Sequence, residues 1–381
     1  AYDPIGGEET SGKPIELPYW LMSADEFRML VIGKTEHEAT SQHNIVYKAL
    51  SFARMVSANL VDPPPADYGE SAPTGSAPHD APRSKEGIEQ AEIDTFDIDK
   101  PRPFTLEHFE NHIRYLQGAR NQNGTLNRET DTNFRKFESV LDKLAVLQRD
   151  TRIQFMMKEW SGDTVKLPDI IAQLVGAENS NGNSQKDIRI IDISGLPNEV
   201  AGPLTAMLAR LLFQYKLYQT TEERKKDPVL LVCEEAHRYV PDRGDAQYAE
   251  AQTSIRRIAR EGRKYGIGLM LVSQRPADVE STVISQCGTW LVLRLTNSAD
   301  QNHVARFLPD GLSGMVNALP NLAQQEAIFV GEGAAMPARI RIRDLEKTQL
   351  PKSDTAKFAK GWTLERLTNA ELEEIANRMI S

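Results

Sequence analysis

Two adjacent carboxylates at the end of an apolar run suggest chemistry more directly than any other residues of this sequence. The run Val229–Cys233 is followed at once by Glu234 and Glu235. In a Walker B arrangement, the first acidic residue after a strand holds Mg²⁺, usually through water, and the second polarises the water that attacks the γ-phosphate. The alternative is a strand-to-helix turn at which the helix dipole favours carboxylates. The pair alone does not decide between these two interpretations, because a two-residue motif is weak evidence.

The residues that follow favour a nucleotide site. Gln274 comes after the next apolar run, and from a strand end an amide side chain can orient water or sense the γ-phosphate. A helical stretch between the two runs carries a cationic stripe, most of it on one face, made of Arg256, Arg257, Arg260, Arg263 and Lys264. Such a stripe is usually a solvated surface. Arginines beside a phosphate site are also what an arginine finger or a DNA-facing loop requires.

The second half of the chain alternates short apolar runs with helical stretches. The runs are DIRIIDIS, DPVLLVCEE, GIGLMLVSQ, TWLVLRL and EAIFV, and ARIRIRDL near the end has the alternation of an edge strand. Runs that are apolar on both faces predict an α/β fold with a mainly parallel sheet covered by helices. Because ligands bind at the carboxyl ends of such strands, Thr296 and Asn297, which follow TWLVLRL, are further candidate nucleotide contacts.

The first half is predicted to be mostly helical over residues 15–175. Ser23 and Glu26 have the spacing of a capping box at a helix start, and Thr368 and Glu371 repeat it before the last helix. Residues 61–103 are rich in Pro, Ser, Gly and Asp, a composition that buries too little apolar surface to offset chain entropy. This segment is therefore predicted to be an exposed, disordered loop.

Composition excludes several classes of protein. A chain of 381 residues with a net charge of -9 does not have a surface that is basic all over, so any DNA contact requires a local basic patch. The only two cysteines, Cys233 and Cys287, indicate packed thiols in a reducing compartment. No apolar run is long enough to span a bilayer and no signal peptide is present, so the sequence predicts a cytoplasmic protein without a membrane partner.

A phosphate-binding loop is not recognisable in the sequence. Gly7–Lys13 has the glycine and lysine spacing of the loop, but Pro14 replaces the required hydroxyl residue and no strand precedes it. The IGKT string that begins at Ile32 has Arg28 where the first glycine belongs. We therefore expect the loop to lie upstream of Ala1, in a longer polypeptide. His237, next to the carboxylates, is interpreted as packing against the turn.

The stretches VLLVCEEAHRY, IRRIAREGRKYGIGLMLVSQRP and QCGTWLVLRLTNSADQ resemble, in order and spacing, the HerA family of hexameric DNA-pumping ATPases, relatives of FtsK. The resemblance is strong over residues 186–345 and looser over the helical part, which contains LPYWLMSADEF. It implies a RecA-like P-loop NTPase core over 186–345, a helical insertion over 15–175, and a C-terminal tail and helix over 346–381. Residues 1–14 would then be a leader that follows a barrel domain and the phosphate loop.

The resemblance also implies roles for individual residues. Glu235 would be the catalytic base, Glu234 the Mg²⁺ ligand and Gln274 the sensor, while Arg260 would be the arginine finger with Arg263 as the next candidate. The implied protein is a homo-hexameric, ATP-driven double-stranded DNA translocase or helicase that works with an effector, either a NurA-type nuclease or a sirtuin-like or other anti-phage defence enzyme. Two alternatives remain: a scaffold ring whose ATPase serves effector assembly, and an ATPase of the secretion or conjugation type.

Overall fold

The computed structural model describes residues 15–32, 40–63, 84–118, 128–159, 165–176, 188–193, 196, 198–242, 249–307, 313–346, 349 and 358–380. Their helices are α1 (Ala24–Ile32), α2 (Thr40–Ser57), α3 (Gln90–Asp94), α4 (Leu106–Gly118), α5 (Arg128–Arg149), α6 (Gln154–Met157), α7 (Leu167–Val175), α8 (Asn198–Leu217), α9 (Thr221–Lys226), α10 (Ala249–Tyr265), α11 (Ser281–Ile284), α12 (Ser298–Ala305), α13 (Ser313–Val316), α14 (Phe358–Gly361) and α15 (Asn369–Ile380). Their strands are β1 (Val229–Cys233), β2 (Ile267–Leu271), β3 (Thr289–Val292), β4 (Glu326–Gly331) and β5 (Ala338–Arg341). The chain divides into two units, Lys13–Gln286 and Cys287–Ser381.

One apolar core joins α1, α2, α4, α5 and α8 of the first unit. Trp20, Phe27 and Phe109 are almost fully buried in it, together with residues of α2, α5 and α8. The predicted capping box is confirmed at the start of α1, where the Ser23 amide donates to Glu26 Oε2 at 2.8 Å and the Glu26 amide donates to Ser23 Oγ at 3.2 Å. Glu26 is buried, and Arg210 of α8 donates to its carboxylate at 2.7 and 2.8 Å. A capping residue thus also ties α8 to the helical part.

The predicted disordered loop is partly ordered. Val61 and Ser84 form an antiparallel bridge, α3 follows, and Ile93 packs in a small apolar cluster. Asp99 Oδ1 accepts a hydrogen bond from the Ala24 amide at 2.9 Å. The prediction of disorder over 61–103 is therefore wrong for 61–63 and 84–103, where a few anchoring contacts outweigh the polar composition. Residues 64–83 lie outside the described part of the chain.

The first unit contains a parallel strand pair joined by a helical crossover. β1 pairs with β2 from Val229 opposite Ile267 to Cys233 opposite Leu271, and α10 connects them and packs on β2. This arrangement confirms the predicted α/β class and is consistent with a RecA-like core. The exposure of the strand residues alternates: the side chains of Leu230 and Val232 are 59% and 47% exposed, whereas Cys233 is buried. Residues 188–193 form no strand, so the strand predicted for DIRIIDIS is not observed among the described residues.

The second unit is built on an antiparallel sheet. β3 pairs antiparallel with β4, and β4 pairs antiparallel with β5, which is confirmed as an edge strand. The apolar runs of the sequence predicted mainly parallel strands and did not indicate that these three strands pair antiparallel. Gly331 adopts φ 106°, and a Cβ there would lie 2.1 Å from the Gly288 carbonyl oxygen, so only glycine fits. The capping box predicted before the last helix is confirmed, since the Thr368 amide donates to Glu371 Oε2 at 2.7 Å.

The boundary between the two units falls at Gln286 and Cys287 rather than between residues 175 and 186. The cause is α8, whose Leu204, Met207 and Leu211 belong to the core of the helical part. The first strand pair therefore belongs with the helices that were predicted to form a separate insertion. No helix among the described residues combines the length and the apolar character needed to cross a membrane.

Candidate functional site

The two carboxylates lie on a sharp turn at the end of β1. Glu235 has φ 50° and ψ 47°, a left-handed conformation that costs a non-glycine residue of order 1 kcal/mol and is concentrated at functional sites. The turn returns the chain to the neighbouring strand, because the Ala236 amide donates to the Val272 carbonyl oxygen at 2.9 Å. Both acidic residues are thereby held at the carboxyl end of the parallel pair.

Gln274, which the sequence placed at a strand end, lies next to Glu235. Its Nε2 donates to Glu235 Oε1 at 2.7 Å. The two residues are 39 positions apart, and the parallel register of β1 and β2 places the segments that follow the strands side by side. The amide therefore restrains one oxygen of the carboxylate and leaves its own carbonyl oxygen for another partner.

His237 and Ser273 are functional candidates that sequence reasoning missed. His237 Nδ1 lies 3.5 Å from Glu235 Oε2 and 3.2 Å from Ser273 Oγ, and Ser273 Oγ accepts a hydrogen bond from the Arg275 amide at 3.0 Å. The histidine was interpreted as packing against the turn, yet it contacts the second carboxylate. The available signals were its position two residues after Glu235 and the serine directly before Gln274.

Glu234 fits the role of a Mg²⁺ ligand. Its side chain is exposed and makes no hydrogen bond or ion pair with a described residue, so both of its oxygens are available. Mg²⁺ in nucleotide sites is commonly held by one or two carboxylates together with water and substrate phosphates. No group of three or more His, Cys, Asp or Glu side chains in the described part of the chain is arranged to hold a metal ion.

Some residues of the cationic stripe on α10 contact other side chains of the fold, and others form no ion pair with a described residue. Arg256 Nε lies 2.6 Å from an oxygen of the buried Glu280, and the Arg257 guanidinium lies over the Phe213 ring at 4.3 Å. Arg260 and Arg263 are exposed and form no ion pair with any residue that the structure describes. Two guanidinium groups at the end of α10 that precedes β2 therefore remain available for an external anion.

Thr296 and Asn297 belong to the second unit. Asn297 is the N-cap of α12, and its Oδ1 accepts a hydrogen bond from the Ala299 amide at 2.9 Å. This contact gives Asn297 a structural role whether or not it contacts a nucleotide, while Thr296 is exposed. The loop candidate Gly7–Lys13 lies outside the described residues, and Ile32 is the last residue of α1.

Cys233 is buried and Cys287 is partly buried. Burial raises the pKa of the Cys233 thiol to about 11 and also raises that of Cys287. Both are free thiols. Because the thiolate is the reactive species, the two side chains behave as packed groups at neutral pH, as the sequence predicted.

Comparisons with known proteins give a consistent result over part of the chain. No protein-family model matches it. The chain is similar to the DNA double-strand break repair helicase HerA of Pyrococcus furiosus, with 35% identity over 120 residues, 32% of this chain and 21% of that protein. It is also similar to HerA of Sulfurisphaera tokodaii, with 30% identity over 166 residues, 42% of this chain and 32% of that protein. The predicted resemblance to HerA is thus confirmed.

The matches to these two relatives cover a third of their length or less. Among solved structures, the chain resembles VirB4 of Thermoanaerobacter pseudethanolicus with 14% identity and a TM-score of 0.49, over 90% of this chain and 76% of that one.

Proposed function

We propose that this chain carries the hydrolytic residues of a HerA-type ATPase that translocates double-stranded DNA. One observation carries the proposal: a free carboxylate, Glu234, and a restrained carboxylate, Glu235, lie at the end of a parallel strand, and the amide of Gln274 is bonded to the second. The similarity to proteins named as DNA repair helicases supports DNA as the substrate on which the ATPase acts.

The proposed chemistry assigns a separate task to each side chain. Mg²⁺ held at Glu234 would neutralise charge on the β- and γ-phosphates of ATP. Glu235 orients the attacking water and accepts its proton as the oxygen bonds to the γ-phosphorus and the bond to the leaving ADP oxygen breaks. Gln274 keeps the Glu235 carboxylate at the strand end and presents its own carbonyl oxygen to the water.

The unpaired arginines give a physical reason for assembly. Arg260, with Arg263 as the next candidate, is exposed without an ion-pair partner in the described part of its own chain. An arginine that reaches the nucleotide of a neighbouring subunit stabilises transition-state charge that an isolated subunit leaves uncompensated. We therefore propose a homo-hexamer with nucleotide between subunits, in which Thr296 and Asn297 are additional nucleotide contacts.

The partners follow from the same proposal. A ring of this type would enclose duplex DNA and deliver it to an effector enzyme, either a NurA-type nuclease or another enzyme such as a sirtuin-like defence effector. A cytoplasmic location is part of the proposal. Duplex DNA should stimulate hydrolysis more than single-stranded DNA, whereas stimulation by single strands alone would favour a conjugation-type ATPase.

The first experiment tests the carboxylate. In the full-length protein, Glu235→Gln should bind ATP with unchanged affinity and lose about 10²- to 10⁴-fold in kcat, the usual contribution of a positioned base. The matched control is Glu222→Gln, an exposed carboxylate on α9 whose ion pair with Lys225 is also exposed. Turnover in Glu235→Gln equal to that of the control would refute the assignment.

The second experiment tests the arginine between subunits. Arg260→Ala should bind ATP and lose hydrolysis, while Arg114→Ala, which removes an exposed arginine from α4, should keep it. Mixed rings of Arg260→Ala and Glu235→Gln subunits should regain activity, because some interfaces then combine an intact Glu235 with an intact Arg260. Mixed rings that stay inactive would indicate that Arg260 does not act across the interface.

A further inference from the structure

We propose that His237, held by Ser273, is a positioning residue that fixes the second oxygen of the Glu235 carboxylate. This inference rests on the proposed function, since it assigns His237 a task in the same hydrolytic site. The two residues come from the segments that follow β1 and β2, so both strand ends are engaged in holding one carboxylate.

Both contacts of the His237 ring are made through Nδ1. His237 Nδ1 faces Glu235 Oε2 at 3.5 Å and Ser273 Oγ at 3.2 Å. In the proposed arrangement Nδ1 carries the hydrogen, because a carboxylate oxygen can only accept. Ser273 Oγ also accepts from the Arg275 amide at 3.0 Å, which fixes the hydroxyl oxygen against the backbone. The ring is therefore oriented by a group that is itself anchored.

Both oxygens of Glu235 are then engaged from different directions. Gln274 Nε2 donates to Oε1 at 2.7 Å, and His237 lies against Oε2. The terminal torsion of a glutamate is broad and nearly two-fold, so one hydrogen bond leaves the carboxylate free to swing. A second contact on Oε2 limits that freedom. Glu235 is 40% exposed, so packing alone does not fix it.

Positioning of this kind affects the rate and not the binding of substrate. Displacement of a catalytic group by about 1 Å lowers the rate by about 10²-fold. Loss of His237 should therefore lower kcat by 10- to 100-fold and leave the KM for ATP unchanged. Ser273→Ala should lower kcat less, because it loosens the ring without removing it.

Substitution of His237 by Asn and by Gln distinguishes a positioning role of the ring from a packing role. The amide nitrogen of Asn can replace Nδ1–H, whereas that of Gln reaches the place of Nε2. His237→Asn should therefore recover most of the kcat that His237→Ala loses, and His237→Gln should not. A packing role predicts the opposite order, because Gln fills more of the space. The matched control is His108→Asn, which replaces a partly buried histidine of α4 and should leave kcat unchanged.

The outcomes distinguish this inference from the proposed function. If Glu235→Gln abolishes hydrolysis but His237→Ala does not slow it, the positioning role is wrong and the ATPase assignment stands. If Glu235→Gln keeps its activity, the proposed function fails. A crystal structure of His237→Ala tests the contact without any turnover. We expect the Glu235 carboxylate in a new or mixed orientation, and an unchanged carboxylate would overturn the inference.

Discussion

Gly262 sets how closely α10 approaches β2, and its replacement by alanine tests that contact. A Cβ at this position would lie 2.7 Å from the Ile267 carbonyl oxygen and 3.3 Å from Ile258 Cγ2. A relaxed carbon–oxygen contact needs about 3.3 Å or more, so the helix and the strand must separate by roughly 0.6 Å. The oxygen belongs to backbone that is paired with β1, and it cannot turn aside as a side chain can.

The expected change in stability is a balance of two effects. Overpacking against rigid backbone costs about 1–3 kcal/mol, whereas alanine gains about 1 kcal/mol over glycine within a helix. The free energy of unfolding of Gly262→Ala should therefore fall by about 1 kcal/mol, from the middle of the first range. For a unit of this size the melting temperature should drop by about 2–4 °C.

Thermal unfolding followed by circular dichroism measures this change. The matched control is Gly314→Ala in α13, where an added Cβ meets no atom within 4 Å. The control should melt at the same temperature as the parent protein or slightly higher. If Gly262→Ala is stabilised as the control is, the close approach of α10 to β2 does not exist as described.

Three further predictions concern other contacts. Glu26→Ala should cost about 3 kcal/mol in urea unfolding, because it removes a buried carboxylate that accepts two hydrogen bonds from the half-buried Arg210, which keeps only its bonds to Leu21 and Gln214. A cost below about 1 kcal/mol would contradict the ion pair. Asn297→Ala should lose about 1 kcal/mol in the same measurement and Asn297→Asp almost nothing, since Asp keeps the cap of α12; equal losses would argue against capping. Burial raises the pKa of the Cys233 thiol from 9.0 to about 11, so the folded protein holds this proton more tightly than the unfolded chain does. The free energy of unfolding should therefore fall as the pH rises from about 9 towards 11. Alkylation of Cys233 at about pH 8, followed by mass spectrometry, should be much slower in the folded than in the unfolded protein.

Much of the candidate site was predictable because strand ends have few possible neighbours. Once β1 and β2 are recognised as consecutive parallel strands, the residues after each strand must meet at one edge of the sheet. That rule assigned Glu234, Glu235 and Gln274 to strand ends, and the structure adds the hydrogen bond from Gln274 to Glu235. The rule did not predict the contact of His237 with Glu235. That contact depends on the left-handed conformation of Glu235, which turns the chain back, and a glutamate does not indicate such a conformation in a sequence.

Composition failed to predict which segments are ordered where a few contacts with distant residues hold the segment in place. Residues 84–103 have a polar, proline-containing sequence that predicts disorder, yet Ile93 packs with Val61, and Asp99 binds the amide that begins α1. Such partners lie far away along the chain and cannot be read from a local window. Strand direction is hidden for a similar reason, since β3 looks like the parallel strands and yet pairs antiparallel with β4.

The cationic stripe on α10 had two interpretations, a solvated surface and a set of arginines for an external anion, and different residues of the helix fit different ones. Arg256 is bound to the buried Glu280, which anchors the middle of α10, and Gly262 brings its last turns onto β2. A helix fixed at two points holds Arg260 and Arg263 in a constant place relative to the strand end that carries Glu235. The solvated-surface interpretation fails for Arg256. Arg260 and Arg263 are exposed and form no ion pair with a described residue, so their guanidinium groups can reach an anion outside their own subunit, as an arginine that acts on another subunit's nucleotide must.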